Sequence, residues 1–283
     1  MNRTYVKLKI RIPQEEQDLA ADDLLAFGFD GFEQQEEELE AWIPEAEFTE
    51  SVNLRLAAWL EEQSDGRWQI VNMEIVTERN WNEEWEKTIR PLTVGRFFIH
   101  PTWTDEVPPQ DCITLVIDPK MAFGTGYHET TRLLLRLLPD HVRPGDRVLD
   151  MGTGTGILAI AALRLGADGA LGIDIDPWCY DNALENARLN AISDRLEIRI
   201  GSTEQIPPDA RYDLILANIN RNILLDMTGS LAGYLAPGGI LMLSGILEED
   251  VDAISSHPAC AAMERLAQSA ENEWRALVYR SLS

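Results

Sequence analysis

Lysine is almost missing from this 283-residue sequence: Lys7, Lys9, Lys87 and Lys120 are the only four. Lys and Arg together number 24 against 48 Asp and Glu, a formal net charge of −24. Nucleic-acid binders neutralise phosphates with clustered Lys and Arg, so this balance argues against a surface that tracks a phosphate backbone. An acidic chain attracts basic partners instead, and an acidic, lysine-poor surface is equally what adaptation to high salt produces; both readings stand. Residues 1–80 carry 19 acidic against 7 basic residues, half of the negative excess in under a third of the length. Cysteine is also sparse. Cys112, Cys179 and Cys260 lie far apart, no C-x-x-C pair occurs, and the four histidines do not cluster, which excludes a disulfide framework and a zinc site from the expectations. No run of about eighteen uncharged apolar residues occurs, and no apolar stretch follows a basic N-terminal patch. Neither a membrane span nor a secretory signal is expected, and a cytoplasmic location is.

What is present suits ordinary folded cores: 45% of residues are hydrophobic, and the length predicts two domains. Val6, Leu8, Ile10 and Ile12 alternate with Lys7, Lys9 and Arg11, the period of a half-buried strand. Leu19, Ala20, Leu24 and Phe27 then recur at helical spacing, and 31–43 reads as two strands around the turn Glu36-Glu37-Glu38. Val52, Leu56, Trp59 and Leu60 predict a second helix, and Val71, Met73 and Ile75 a closing strand. The order strand-helix-strand-strand-helix-strand predicts a small α+β, ferredoxin-like domain over 1–79, with no chemistry-bearing motif in it. Residues 80–111 read as a connector, in which Trp81 and Trp85 are packing anchors more readily than ligands. From residue 112 to 283 strands alternate with helices, the pattern of a mostly parallel sheet covered on both faces. Strands are expected near 112–118, 146–151, 169–174, 195–200, 212–217 and 239–244, and two more after Pro258 form an antiparallel edge.

The run Val148-Leu149-Asp150-Met151-Gly152-Thr153-Gly154-Thr155-Gly156 reads as a buried strand breaking into a glycine-rich turn that opens a helix. Such a turn brings free backbone N–H groups close to an anionic or polar ligand. Its spacing is G-x-G-x-G, whereas a dinucleotide fingerprint needs G-x-G-x-x-G and would place glycine at Ile157. A nicotinamide-dependent oxidoreductase is therefore the poorer reading. Asp174 ends the next strand, where a doubly wound fold presents a carboxylate to ribose hydroxyls. Asp176 and Pro177 instead look like the cap and first residue of a helix.

Two further segments complete the pattern. Asp213 to Ile219 is an apolar strand ending in Asn218, and Asp118 to Thr131 is a glycine-hinged loop that runs into a helix. On A-F-G-T-G-x-H-E-T-T at 122–131, D-x-G-x-G-x-G at 150–156, G-I-D-I-D-P at 172–177, A-N-I at 217–219, L-S-G-I-L at 243–247 and E-W at 273–274, the whole chain resembles the ribosomal protein L11 methyltransferase family. These are class I enzymes that use S-adenosylmethionine. The resemblance implies a doubly wound α/β fold with a seven-stranded, mostly parallel sheet and a C-terminal antiparallel hairpin, and a small N-terminal domain that recognises substrate. It implies cofactor contacts from Thr125, Gly126, Thr131, Gly152, Gly154, Gly156, Asp174 and Asn218, with Asp174 on the ribose, and catalytic roles for Asn218 and Phe123. The implied substrate is ribosomal protein L11, trimethylated on lysine ε-amines and its N-terminal α-amine, with no nucleic-acid or membrane partner and a monomeric enzyme.

An amide oxygen beside the methyl group suits this chemistry, because the enzyme's task is to hold a neutral amine in line with the S–CH₃ bond. A non-catalytic module would have lost the glycine turn or Asn218, and both are present. Another amine, on a nucleic acid or a small molecule, is the alternative substrate. Asn218 is followed by Ile219-Asn220-Arg221 and lacks the Pro-Pro-aromatic sequence that stacks a flipped base, which counts against DNA. Where many class I enzymes place an acid for adenine, Gly201-Ser202-Thr203 stands, so the adenine partner is open. His128 either lines the site or caps the helix that follows it.

Overall fold

The computed structural model describes residues 4–64, 68–77, 89–120 and 122–282. Trp81 and Trp85 lie outside the described residues. The chain divides into two compact units, Met1–Glu84 and Trp85–Ser283.

In the first unit the strict alternation of residues 4–12 becomes β1 (Thr4–Arg11), followed by α1 (Gln17–Leu25), β2 (Gly31–Gln34), β3 (Glu38–Pro44), α2 (Glu50–Ser64) and β4 (Gln69–Thr77). The four strands form an antiparallel sheet in the order β2-β3-β1-β4, the ferredoxin-like arrangement. Val6, Leu8 and Ile10 of β1 and Leu39, Ala41 and Ile43 of β3 are buried with Leu24, Leu56 and Trp59 from the helices. The opposite face is polar. There Lys7 and Lys9 both pair with the buried Glu40, at 2.6 and 3.1 Å, which holds that carboxyl below its ordinary pKa against the opposing pull of burial.

The second unit begins with β5 (Leu92–Val94), β6 (Phe97–His100) and β7 (Ile113–Val116), a separate three-stranded sheet. Two expectations change here. The stretch 80–111 is more than a connector, since Val94, Phe97 and Ile99 are buried in the same core as the parallel sheet. The strand expected at 112–118 pairs with β6 and takes no place in the main sheet. Its free edge is met by a helix, as described below.

The main sheet is built from β8 (Arg147–Met151), β9 (Gly169–Asp174), β10 (Leu196–Ile200), β11 (Tyr212–Asn218), β12 (Leu235–Leu247), β13 (Glu264–Glu271) and β14 (Trp274–Arg280), in the order β10-β9-β8-β11-β12-β14-β13. The first five run parallel, β14 runs antiparallel to β12, and β13 is antiparallel to β14. The helices α3 (Glu129–His141), α4 (Ile157–Leu165), α5 (Pro177–Leu189) and α6 (Arg221–Gly233) connect or cover these strands, and α7 (Val251–Ser255) and α8 (Pro258–Ala261) precede the hairpin. Pro258 therefore opens a short helix before the two expected strands begin. Strand order reverses between β8 and β11, so the crevice at their carboxyl ends is the topological switch point, where ligands bind in open α/β sheets.

Three asparagines spaced by four residues hold β7 in place. On α5 and just past it, Asn182, Asn186 and Asn190 share one buried face. Asn190 donates to Val116 O (2.7 Å) and accepts from Val116 N (3.0 Å), Asn186 accepts from Asp118 N (2.9 Å), and Asn182 donates to Asp118 O (2.7 Å). The side-chain amides thus bond one edge of β7 as a neighbouring strand would. Asn186 also donates to Thr155 O (2.9 Å), which ties this anchor to the glycine turn.

Beneath the turn lies Asp150, fully buried at the end of β8. One carboxylate oxygen accepts from Thr153 Oγ1 (2.8 Å) and Ala159 N (3.2 Å), and the other has no partner among the described residues. Burial pushes its pKa from 3.8 up to about 6, opposed by those two hydrogen bonds. The native state binds this proton more tightly than the unfolded chain does, so the stabilisation is present below about pH 4 and is lost as pH rises through about 6. Asp150→Asn keeps an acceptor for Thr153 and Ala159 and removes the titration. Its stability relative to the unsubstituted protein, measured by urea denaturation, should improve by about 2 kcal/mol between pH 4.5 and pH 7.5. A pH-independent difference would contradict the burial account.

Candidate functional site

Backbone geometry builds the site first. Gly152 and Thr153 both donate to Ile173 O, at 2.8 and 3.1 Å, locking the turn after β8 against the end of β9. Gly152, Gly154 and Gly156 have φ of +72°, +54° and +82°, values that favour glycine. Gly154 is also a close approach: a Cβ there would lie 2.2 Å from the carbonyl oxygen of Phe123. Two bonds, Thr155 N to Phe123 O (2.8 Å) and Thr155 Oγ1 to Gly124 O (2.6 Å), fasten the loop onto the turn.

Asp174 sits at the end of β9. Its carboxylate accepts from Gly154 N (2.9 Å) and Asp176 N (3.0 Å), one bond on each oxygen, and further lone pairs remain available. Asp176 caps α5 by accepting from Trp178 N (2.9 Å), with Pro177 in the first turn. Asn218 ends β11. Its Nδ2 donates to Thr131 Oγ1 (3.2 Å), and its Oδ1 is enclosed without a partner among the described residues. A buried carbonyl oxygen left unsatisfied costs about 1–3 kcal/mol, so this acceptor is kept at some expense to stability.

These elements enclose a cavity of about 430 Å³ at the switch point, lined by Phe123, Gly152, Gly154, Asp174 and Asn218. Four residues named for the cofactor do not line it. Thr131 is fully buried behind Asn218 and holds its amide. Gly156 caps α4 with Ala183 against it, and a Cβ on Gly126 would meet Ile99 at 2.8 Å. Thr125 faces a smaller cleft beside Ile89 and Arg90.

His128 does both things considered for it. Its Nδ1 accepts from Thr130 N (3.3 Å) at the start of α3, and its ring lines the cavity between Phe123 and Trp274, with centroids 5.3 and 4.9 Å away. Trp274, Ile175, Ile219 and Met227 are cavity residues that the motif reading did not place. Ile175, Ile219 and Trp274 stand inside motifs quoted above, G-I-D-I-D-P, A-N-I and E-W, whereas Met227 carried no signal. Ile219 fits because both its neighbours are glycine: a Cβ on Gly152 would lie 2.3 Å from Ile219 Cγ2, and one on Gly245 would lie 2.3 Å from Ile219 O. Ser202, on the segment after β10, also lines the cavity.

Other chemistries lack residues. Cys179, next to Asp174 and Asp176, has its thiol pushed up to about 12 by burial and then by those carboxylates, which makes it a poor nucleophile. Among the described residues no group of three His, Cys, Asp or Glu could hold a metal ion, and no helix is long and apolar enough to cross a membrane.

Known proteins share this architecture. The family described as Ribosomal protein L11 methyltransferase (PrmA) matches residues 4–281. The ribosomal protein L11 methyltransferase of Porphyromonas gingivalis is 42% identical over 268 residues, covering 92% of this chain and 89% of its own. That of Thermus thermophilus is 41% identical over 207 residues, 73% of this chain and 79% of its own. A crystal structure of ribosomal protein L11 methylase from Lactobacillus delbrueckii subsp. bulgaricus superposes with a TM-score of 0.61 at 32% identity, covering 68% of this chain and 98% of that one. Glycine turn, switch-point cavity and full-length match agree: the chain belongs to the ribosomal protein L11 methyltransferase family, class I enzymes with S-adenosylmethionine as methyl donor.

Proposed function

We propose that this chain methylates amines of ribosomal protein L11, both lysine ε-amines and the N-terminal α-amine. The observation that carries the reading is the enclosed, unpartnered Oδ1 of Asn218 at the wall of the cavity. It is an acceptor waiting for an N–H.

The cavity suits the cofactor. The turn offers backbone at Gly152 and Gly154, Asp174 offers carboxylate lone pairs to a ribose, and Ile175, Ile219 and Met227 offer apolar surface. Bound there, S-adenosylmethionine supplies a methyl group made electrophilic by its sulfonium. The protein's part is to present an amine with its lone pair free. Asn218 Oδ1 accepts one amine hydrogen and so turns the lone pair away from itself, and Thr131 keeps the amide from rotating. An α-amine, near 7.7–8.0, is partly neutral at physiological pH, whereas a lysine near 10.4 must shed a proton first. The apolar walls, with Phe123 at the mouth, favour the neutral form of either by desolvation. The same Phe123 ring offers a smooth wall against which a partly methylated nitrogen can turn, which repeated methylation requires.

The first unit is the docking domain in this reading. None of its described residues lines the cavity, and residues 1–80 hold 19 acids against 7 bases, complementary to a basic ribosomal protein.

Two substitutions should separate binding from turnover. Asp174→Ala should weaken S-adenosylmethionine binding by about 1.5–3 kcal/mol in calorimetry on the folded variant, since it removes a charged hydrogen-bond acceptor. Unchanged affinity would remove Asp174 from the cofactor site. Asn218→Ala should instead lower the single-turnover rate on ribosomal protein L11 by about 10²-fold, with a smaller loss of cofactor affinity. Rates within a few-fold of the unsubstituted enzyme would show that Asn218 does not aim the amine.

A further inference from the structure

The start of α5 carries an exposed tryptophan that neither the fold nor the cofactor cavity uses. Trp178 is 69% exposed, while Cys179 beside it is buried in the packed side of the helix. Most of this large aromatic's surface is left in water. Three residues earlier Ile175, 71% exposed, lines the cavity. Trp178 thus adds exposed apolar surface three residues after one that lines the cavity.

Its polar surroundings carry one sign. Asp176 caps the helix by accepting from Trp178 N, and Asp181 and Glu185 follow Trp178 at the i+3 and i+7 positions of one helical face. Lys120 pairs with Glu185 and offsets that charge. Asp176 and Asp181 join no ion pair among the described residues. A tryptophan face bordered by uncompensated carboxylates is a place for a cation: the ring quadrupole and the carboxylates both attract Lys or Arg, and tryptophan is the best of the aromatic partners.

We infer that Trp178 is a docking residue for the protein substrate, stacking its indole against a lysine or arginine that flanks the amine being methylated. This rests on the protein-methyltransferase reading above and adds to it a feature of the substrate: a second basic side chain near each target amine. Trp178 touches no reacting atom, so it acts on substrate capture alone.

Steady-state kinetics with full-length enzyme, ribosomal protein L11 and saturating S-adenosylmethionine test it, alongside calorimetry of the cofactor. Trp178→Ala should raise KM for the protein about 3- to 10-fold with kcat within two-fold and cofactor affinity unchanged. Trp178→Phe should keep part of the effect, and Asp181→Asn should raise KM while flattening its dependence on salt. An unchanged KM for Trp178→Ala overturns the inference. So does a KM rise matched by a loss of cofactor affinity, because Trp178 would then be covering the cofactor. An unsubstituted enzyme that leaves L11 unmethylated contradicts the functional reading itself, and the inference falls with it.

Discussion

The carbonyl of Phe123 lying against Gly154 is the contact on which the rest of the site depends. Both partners are backbone, so neither can yield as a side chain would, and a Cβ on residue 154 would sit 2.2 Å from that oxygen. Only glycine permits the approach. From it follow the hydrogen bond of Thr155 N to Phe123 O, the placement of the Phe123 ring at the cavity mouth, and the run of the loop into α3. Because α3 carries Thr131, the same contact reaches the Asn218 amide through one hydrogen bond. The glycine turn, the loop at 122–128 and the Asn218 amide are thus one mechanically connected assembly.

Polar side chains do the connecting. The asparagines of α5 satisfy the backbone of Val116 and Asp118, an edge that would otherwise be buried with its N–H and C=O groups unpaired. Asp174 does the same for Gly154 and Asp176, and is thereby preset with its remaining lone pairs toward the cavity. A carboxylate committed to two backbone amides loses little further freedom when a ligand arrives, which is how preorganisation aids binding. Asp150 bears the opposite cost: it stays buried under the turn with one oxygen unpaired, and its raised pKa is the record of that burial.

Much of this was legible from residue order. Strict alternation in residues 4–12 and the glycine spacing at 152–156 are local signals, and each produced the element expected from it. The place of Asp176 as a cap followed from Pro177 for the same reason. What could not be read was tertiary. The strand at Ile113–Val116 has the apolar run of a sheet member, and only the asparagine ladder on a helix some seventy residues later explains why it stands apart from the main sheet. Likewise Thr125, Gly126 and Gly156 share a motif with true cavity residues, yet their neighbours Arg90, Ile99 and Ala183 come from distant segments, and those contacts decide which way each faces. Ile219 and Trp274 enter the cavity through the pairing of β11, β12 and β14, which no single window of sequence contains.

The charge is unevenly spread, with 19 acidic against 7 basic residues in positions 1–80. The central claim is that this assembly methylates amines of a ribosomal protein. Its most direct test is peptide-mapping mass spectrometry of ribosomal protein L11 after incubation with the full-length protein and S-adenosylmethionine. The account predicts added methyl groups confined to lysine side chains and the N-terminal amine. Unmodified L11, or methyl groups on other residue types, would contradict it.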